Sequence, residues 1–315
     1  MPDVLTFGEA MVSIRTRAPM RLGGEAHLSV AGSESNVAIG LARLRHHPAW
    51  IGAVGNDEPG RLIQRTLRAE GVDTSYLRFS DDSFTGFIAF DQPAHDITRV
   101  SYHRRGSAAS TLTADECVIA ITATPGQAAP RLLHVTGITP AISESARAAT
   151  LAAVQAGAKA GLGVSLDVNY RARLWSRAEA AAALRDLLPY VTTVFASDDE
   201  LDILTDATEP IADLLSRGIA EVVVTAGGKG AWSHSIDGVI HRPALPVTVV
   251  DSIGAGDAFV SGYLSATLDN LATEARLDRA TSSGAFCVGA HGDWESLPTR
   301  EDLTLLTHTD GTALR

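Results

Sequence analysis

The residues Asp251 to Phe259, which read Asp-Ser-Ile-Gly-Ala-Gly-Asp-Ala-Phe, place a carboxylate where a predicted helix begins. Gly254, Ala255 and Gly256 are small enough to let a ligand approach the backbone, and an apolar helical pattern starts directly after them. The first amides of a helix lack carbonyl partners, and together with the positive end of the helix dipole they can bind a phosphate. Asp257 lies among these amides and could accept the proton of an attacking hydroxyl. The segment therefore indicates phosphoryl transfer to a sugar-like alcohol.

The same residues have an alternative interpretation as a glycine-containing turn that is capped by an acid. Such turns begin many helices that carry no chemistry. A short motif of this kind is a hypothesis until its structural context supports it. The other segments of the chain therefore have to supply groups that would bind a sugar and a nucleotide.

The charge of the chain limits its partners. Its 37 Asp and Glu residues against 26 Lys and Arg give a formal net charge of −11. Nonspecific binding to nucleic acid depends on basic side chains that neutralise phosphates, so nucleic acid is not an expected partner. An acidic protein that binds anionic ligands must concentrate positive charge locally, which makes individual arginines informative.

The bulk composition is that of a folded protein without a membrane span. The chain has 315 residues, 45% of them hydrophobic, and a mean hydropathy of +0.08, which fits one large domain with a small appendage. Met1 to Ile14 has neither a basic start nor an apolar run of signal length, so we expect a cytoplasmic protein. Cys117 and Cys287 lie outside any Cys-x-x-Cys spacing, which predicts two buried thiols rather than a zinc site or a disulfide.

From about Arg131 onward, apolar strand-like runs alternate with helical patterns. The predicted strands cover residues 132–138, 164–168, 191–195 and 222–225, and the predicted helices cover residues 143–160 and 177–188. Alternation of buried strands with amphipathic helices implies a mostly parallel central sheet flanked by helices on both faces. We therefore predict an α/β fold.

Two stretches, at about residues 12–30 and 84–105, break this rhythm. They show β-type alternation and turns without intervening helices, which predicts a small β-sheet outside the main one. We interpret this sheet as a lid on a single domain that spans residues 1–315. Helices predicted at about residues 35–45 and 61–69 return the chain to the main sheet.

Two segments could bind a sugar. Ala31 to Asn36 precedes a helix, so its amides and the side-chain amide of Asn36 could bind hydroxyls, although the segment by itself favours an ordinary N-cap supplied by Ser33 or Ser35. Asp167 to Arg171 follows a buried strand, at the end where open α/β sheets place ligands. The arginine at its end could hold a carboxylate through two parallel hydrogen bonds, or it could be a solvated surface side chain.

The chain lacks the usual nucleotide-binding motifs. It contains no Gly-x-x-x-x-Gly-Lys-Ser/Thr segment and no Gly-x-Gly-x-x-Gly helix start, which disfavours a P-loop ATPase and a dinucleotide-binding protein. Instead, Thr225-Ala226-Gly227-Gly228-Lys229-Gly230 follows a predicted strand. Its glycines would let ATP lie against the backbone, and a plain β-turn is the alternative.

These segments together resemble the ribokinase-like, or PfkB, carbohydrate kinases. Asp251 to Phe259 is similar to the C-terminal signature of that family, apart from Ile253, where Thr or Ser is usual. Gly32 and Asn36 match the Gly-Gly-x-x-x-Asn sugar loop, whereas Ala31 replaces its first glycine. The resemblance runs through nearly the whole chain and implies a ribokinase-like fold.

Three further segments are similar to the 2-keto-3-deoxygluconate kinase branch of the family: Tyr102 to Ser110, Asp167 to Trp175 and Gly292 to Pro298. With this resemblance, the predicted catalytic residues are Asp257 as the base and Gly254, Ala255 and Gly256 as the anion hole. The predicted substrate residues are Gly32, Ser33, Asn36, Tyr102, Arg104, Arg171, Asp257 and Asp293. The predicted nucleotide residues are Ser197, Thr225, Gly227, Gly228, Gly230, Gly254, Gly256 and Thr281.

The resemblance also implies magnesium, brought as MgATP. Ser197 to Glu200 takes the place of the family's Asn-x-x-Glu motif, which helps to position magnesium and phosphates, with Ser197 in place of the asparagine. Mg²⁺ usually keeps most of its waters, so we assign no direct protein ligand.

We therefore expect an ATP-dependent kinase that phosphorylates the terminal hydroxyl of an acid sugar, with 2-keto-3-deoxygluconate as the first candidate. The motifs do not separate the gluconate and galactonate epimers. One alternative is a ribokinase, fructokinase or nucleoside kinase of the same fold, whose neutral substrates would not need Arg104 and Arg171. Others are a noncatalytic sugar-binding regulator and a nicotinamide dehydrogenase. Family lids often pair between subunits, which implies at least a dimer through the lid.

Overall fold

The computed structural model describes residues 2–94, 97–122 and 130–307. The strands in these ranges are β1 Val4–Phe7, β2 Met11–Arg15, β3 His27–Ala31, β4 Pro48–Gly55, β5 Leu77–Ser80, β6 Phe87–Ala94, β7 Ile97–His103, β8 Leu132–Thr136, β9 Gly163–Asp167, β10 Thr193–Ser197, β11 Glu221–Thr225, β12 Ala231–Ser235 and β13 Gly238–Arg242. The helices are α1 Ser33–Arg43, α2 Glu58–Ala69, α3 Ala114–Thr122, α4 Thr139–Ile142, α5 Glu144–Lys159, α6 Arg177–Arg185, α7 Leu201–Leu204, α8 Pro210–Ser216, α9 Ala255–Leu268 and α10 Thr273–Val288. Residues 95 and 96 of the predicted lid lie outside the described ranges.

The large sheet of the described chain has nine strands in the order β13-β12-β11-β10-β9-β8-β1-β4-β5. Neighbouring strands from β5 to β11 pair in parallel, and the β12–β13 hairpin adds two antiparallel strands at one edge. Because parallel strands end at the same edge, the loops that follow β1, β8, β9, β10 and β11 meet there. The prediction of a mostly parallel α/β sheet is confirmed.

Both faces of this sheet are buried under helices. On β8, Leu132 packs with residues of α1, α9 and α10, whereas its neighbour Leu133 packs with residues of α3, α5 and α6. Successive side chains of a strand point to opposite faces, so a strand that is covered on both sides must be apolar at consecutive positions. This explains the continuous apolar runs that mark the central strands in the sequence.

A second, small sheet has the strand order β3-β2-β6-β7. Strand β2 pairs antiparallel with β3 and parallel with β6, and β6 pairs antiparallel with β7. We call these four strands the small sheet. They fall within one residue of the two stretches predicted from the alternation, so the sequence located this sheet correctly.

The helix limits shift by a few residues from those predicted. Helix α2 begins at Glu58 because the carboxylate of Asp57 accepts the amide of Gly60 and Pro59 fits the first turn. Helix α6 ends at Arg185, before a short 3-10 turn at Leu188–Tyr190. Across the described ranges, none of the helices combines the length and the apolar character that a bilayer span requires.

Candidate active site

A cavity of about 560 Å³ lies at the edge where the parallel strands end, between the large sheet and the small sheet. Side chains from β6 and β7 form one wall, and the segments after β9 and β10 form another. Twelve of the predicted site residues line it: Gly32, Ser33, Asn36, Tyr102, Arg104, Arg171, Ser197, Thr225, Gly254, Gly256, Asp257 and Asp293. The cavity therefore brings together segments that are widely separated in sequence.

Asp257, in the first turn of α9, is buried at the inner end of this cavity. One carboxylate oxygen accepts the Ser33 hydroxyl at 2.6 Å, and the other accepts the Asn36 side-chain amide at 2.8 Å. The Ser33 oxygen in turn accepts the amide of Asn169 at 3.0 Å. The alternative that Ser33 or Ser35 caps α1 is wrong, because Ser33 is turned to Asp257 and Ser35 donates to the Gly32 carbonyl.

Burial raises the pKa of Asp257, while the hydrogen bonds from Ser33 and Asn36 and the charge of Arg171 act against that rise. A carboxylate with a raised pKa is a better proton acceptor than one that is fully solvated. The hydrogen bonds fix its orientation toward the cavity. The arrangement suits a general base that receives a proton from a bound hydroxyl.

The turn before α9 fits an anion. Gly254 has φ +78, and a Cβ at this position would lie 2.1 Å from the carbonyl oxygen of Asp293, so only glycine fits. The space around Gly256 is open, since no other atom lies within 4 Å of where its Cβ would be. Among the described residues, the amides of Gly256 and Asp257 have no protein acceptor. These amides and the helix dipole form a site for a phosphate group.

Three buried oxygens near Asp257 lack a hydrogen-bond donor within the described part of the chain. They are Glu34 Oε2, Asn36 Oδ1 and Asn169 Oδ1, and all three residues line the cavity. Buried polar atoms are normally paired, because an unmade hydrogen bond in the interior is costly. A ligand with several hydroxyl groups would supply the missing donors.

Glu34 was not predicted as a site residue. Its other oxygen accepts the hydroxyls of Thr136 and Thr139 at 2.6 and 2.5 Å, and burial raises the pKa of its carboxyl group. These two threonines lie at the end of β8 and in α4, so Glu34 joins α1 to the main sheet at the floor of the cavity. The sequence feature that could have identified Glu34 is that it is the one charged residue in the segment Ala31 to Val37.

Arg104 lines the cavity, but its charge is already matched. Its guanidinium lies 2.5 Å from a carboxylate oxygen of Glu9, which follows β1 and is itself buried. The Ser107 hydroxyl donates to the other oxygen of Glu9 at 2.5 Å. The prediction that an acid sugar needs Arg104 for its charge is therefore weakened, because Glu9 already balances that charge; Nε and Nη2 of Arg104 have no hydrogen-bond partner among the described residues.

Arg171 lies at the mouth of the cavity and forms no ion pair with any described residue. Within the described part of the chain, its one hydrogen bond is to the carbonyl of Tyr170, at 3.3 Å. Two residues on, Arg173 donates to the carbonyl of Val100 in β7 at 2.6 Å. Tyr102, on the same strand, is partly exposed at the cavity wall. An unpaired guanidinium at this entrance can receive an anion.

Asp293 is buried against the Gly254 turn and pairs with Arg15, whose Nη2 lies 2.8 Å from its carboxylate. Burial raises its pKa to about 7, against the lowering effect of Arg15. Arg15 was not predicted as a site residue, because nothing in its local sequence marks it.

The residues predicted to contact the nucleotide divide into two groups. Ser197 and Thr225 line the cavity, at the ends of β10 and β11. Gly227, Gly228, Gly230 and Thr281 lie outside it, as does Ala255 of the predicted anion hole. The space beside Gly227 and Gly228 is open, so a ligand that extends from the cavity could reach their backbone. Thr281 is on α10 and donates to the carbonyl of Leu277.

The described residues contain no cluster of three or more His, Cys, Asp or Glu side chains that could cage a metal ion. Glu200 is engaged in structure, because its two oxygens accept the amides of Tyr170 at 2.7 Å and Ser197 at 2.9 Å. Such a donor set fits a magnesium ion that arrives bound to a triphosphate and retains its waters, and it does not fit a dedicated protein cage.

Comparisons with known proteins place this geometry in context. A family model described as pfkB family carbohydrate kinase matches residues 1–300. The chain is 36% identical over 313 residues to the 2-dehydro-3-deoxygluconokinase of Bacillus subtilis (strain 168), covering 96% of this chain and 94% of that protein. It is 34% identical to a fructokinase of Klebsiella pneumoniae, covering 86% and 90%. The crystal structure of a PfkB protein from Polaromonas sp. JS666 superposes with a TM-score of 0.85 at 33% identity, covering 96% and 99%.

Proposed function

The chain belongs to the pfkB family of carbohydrate kinases, and on that premise we propose that it transfers the γ-phosphoryl group of ATP to the terminal hydroxyl of an acid sugar. The first candidate is 2-keto-3-deoxygluconate, which is the substrate named by a relative that is 36% identical. A fructokinase at 34% identity makes a neutral sugar the second candidate.

The observation that carries the proposal is the division of polar groups along the cavity. Its inner end holds Asp257 and three buried oxygens that need donors, which suits a chain of hydroxyl groups. Its mouth holds Arg171, which has no carboxylate partner among the described residues. A linear sugar acid has hydroxyls at one end and a carboxylate at the other. A neutral sugar would leave Arg171 without an anion.

In the proposed reaction, Asp257 accepts the proton of the terminal hydroxyl as its oxygen attacks the γ-phosphorus and the bond to ADP breaks. The Ser33 hydroxyl and the Asn36 amide hold the carboxylate in place. The amides of Gly256 and Asp257 receive the transferred phosphoryl oxygens. A magnesium ion bound with the nucleotide would neutralise charge on the phosphates. Closure of the small sheet as a lid would exclude water, which otherwise competes as the acceptor.

A substrate panel at fixed ATP tests this proposal. We expect ADP formation with 2-keto-3-deoxygluconate, its galactonate epimer or both, at a kcat/KM at least about tenfold above that for fructose or ribose, since a charged hydrogen bond contributes about 1.5–3 kcal/mol. Preference for fructose or ribose would reject the acid sugar and leave the kinase assignment in place. ATP binding without turnover on any sugar would favour a noncatalytic regulator.

We further propose that the protein works in the cytoplasm, where ATP is available, as a dimer through the small sheet. Leu28 of β3 and Ile97 of β7 are each 58% exposed, and Leu22, between β2 and β3, is 71% exposed. Strands β3 and β7 are the two outer strands of the small sheet, and exposed apolar side chains on such strands are candidates for a subunit contact. Light scattering should give twice the chain mass for the wild type and the chain mass for Leu28→Glu. A wild-type monomer at micromolar concentration would reject the dimer.

A further inference from the structure

Arg15, at the end of β2, bridges two carboxylates that lie on other parts of the fold. Its Nη1 is 3.0 Å from Asp251, and its Nη2 is 2.8 Å from Asp293. The guanidinium also lies 4.0 Å from the ring centre of Phe90, which lines the cavity. Only 18% of the Arg15 side chain is exposed, and both carboxylates are similarly shielded. Such shielded, two-pronged ion pairs resist solvent screening better than surface pairs.

The two carboxylates lie on either side of the turn that precedes Asp257. Asp251 begins this turn, and its second oxygen accepts the amide of Ile253 at 3.1 Å. Asp293 lies behind the turn, with its carbonyl oxygen where a Cβ on Gly254 would be. Arg15 therefore contacts both the residue that begins the phosphate-binding turn, Asp251, and the residue that packs against Gly254 in that turn, Asp293.

The loop that carries Asp293 makes further contacts with the small sheet. The indole of Trp294 donates to the carbonyl of Val30 at 3.0 Å, and the Ser29 hydroxyl donates to Glu295 at 2.5 Å. These two contacts reach β3, whereas Arg15 reaches the loop from β2. Of the three, the Arg15 contact is the one that involves side chains at the proposed site of phosphoryl transfer.

We propose that Arg15 is a positioning residue, which holds Asp251 and Asp293 around the phosphate-binding turn and so ties the small sheet to the transferring end of the cavity. This inference rests on the proposed function, because Asp293 matters as an acceptor for a substrate hydroxyl. Arg15 itself does not line the cavity, so it acts through the two carboxylates.

Arg15 also favours the ionised form of Asp293. The pKa of Asp293 is raised to about 7, and burial is the largest cause; Arg15 acts against the rise, while Glu295 on the same loop and Asp257 of α9 add to it. From α10, the thiol of Cys287 faces the Asp293 carbonyl at 3.9 Å. Asp293 accepts a hydrogen bond from a substrate hydroxyl best in its ionised form, which predominates above its pKa. Removal of Arg15 would therefore move the acidic limb of the pH profile to higher pH.

Arg15→Met tests the inference, because Met keeps apolar packing on Phe90 and removes both ion pairs. We expect kcat/KM for the sugar that the wild type phosphorylates best to fall about 10- to 100-fold at pH 7.5, the range for loss of a charged hydrogen-bonded pair. The acidic limb of kcat/KM should move up by about one pH unit. Arg15→Lys, which keeps the charge but not the fork, should show a smaller loss and a smaller shift.

Two controls separate positioning from stability. Arg185→Ala removes an arginine on α6 that binds one carboxylate, Asp206, through two nitrogens at 2.7 Å each and does not line the cavity. Because Asp206 is 85% exposed, Arg185→Ala should lose less Tm than Arg15→Met, and its kcat/KM should be unchanged. In an Asp293→Asn background, Arg15→Met should cost clearly less than it costs alone, because coupled residues are not additive.

A wild-type pH profile in Arg15→Met, or equal losses in both backgrounds, would reject the positioning role. If Arg15→Met does not fold, the same comparisons with Arg15→Lys decide. The wild-type substrate panel tests the proposed function separately. Should the wild type prefer a neutral sugar, the acid-sugar proposal fails and the Arg15 variants are measured with that sugar.

Discussion

Asp257→Asn is expected to lose about 10²- to 10⁴-fold in kcat, the range for removal of a general base, while ATP still binds. The amide cannot take the proton of the sugar hydroxyl. Its oxygen can face Asn36 and its amide can face the Ser33 oxygen, so both contacts of the wild-type side chain have counterparts. Steady-state kinetics, calorimetric titration with ATP and thermal unfolding measure the three quantities.

The variant should keep the wild-type Tm or exceed it. The raised pKa of Asp257 means that its ionised form is disfavoured in the folded state, so this carboxyl stabilises the fold only at low pH, and that stability is lost as the pH rises through its folded-state pKa. An uncharged amide removes that cost. The pH dependence of turnover is opposite to that of stability, because Asp257 can accept a proton only when it is ionised. Wild-type turnover should therefore fall as the pH drops through the folded-state pKa of Asp257.

Asp167→Asn is the matched comparison. Asp167 is buried in the same cavity, and burial together with the charges of Glu200 and Asp257 raises its pKa well above the ordinary value. The side-chain oxygen of Asn can keep the hydrogen bond that Asp167 accepts from Asn169 at 3.1 Å, and Asp167 does not take the proton in the proposed reaction, so this change should cost far less kcat than Asp257→Asn. Near-normal turnover in Asp257→Asn, or equal losses in the two variants, would remove Asp257 from the role of base.

Arg171→Ala is expected to raise KM for the acid sugar about 10- to 100-fold, with a much smaller change in kcat and in the KM for ATP. The physical reason is the loss of a charged pair to the substrate carboxylate, which contributes about 1.5–3 kcal/mol. Kinetics with fructose should change little, because a neutral sugar makes no such pair. The KM of Arg171→Lys for the acid sugar should lie between those of the wild type and Arg171→Ala, since a lysine cannot bind a carboxylate through a planar fork.

Arg173→Ala supplies the control for Arg171. It lies in the same loop, is exposed and also lines the cavity, but its Nη1 donates to the Val100 carbonyl at 2.6 Å, which holds its side chain against β7. We expect less than about a threefold change in KM, as for an exposed pair. An unchanged KM in Arg171→Ala would show that the carboxylate binds elsewhere, and the Arg104–Glu9 pair would then be the next place to test.

The sequence alone was sufficient for the features that depend on neighbouring residues. Helix and strand periodicity predicted the α/β sheet and located the small sheet, because burial on one or both faces leaves a local apolar pattern. The start of α9 could also be predicted from the sequence, because the glycines and Asp257 are adjacent in the chain. What remained uncertain locally were helix limits and the N-cap of α1, where Ser33 serves a distant carboxylate instead of its own helix.

Only the tertiary structure decided how the charges are paired. Arg15 meets carboxylates 236 and 278 residues away, and Arg104 meets Glu9 across the end of β1. No local pattern encodes such contacts, because they arise when the small sheet packs over the ends of the parallel strands. The sequence contains many arginines that look alike. Only the packing of the small sheet on the large sheet pairs Arg104 with Glu9 and leaves Arg171 without a carboxylate partner among the described residues.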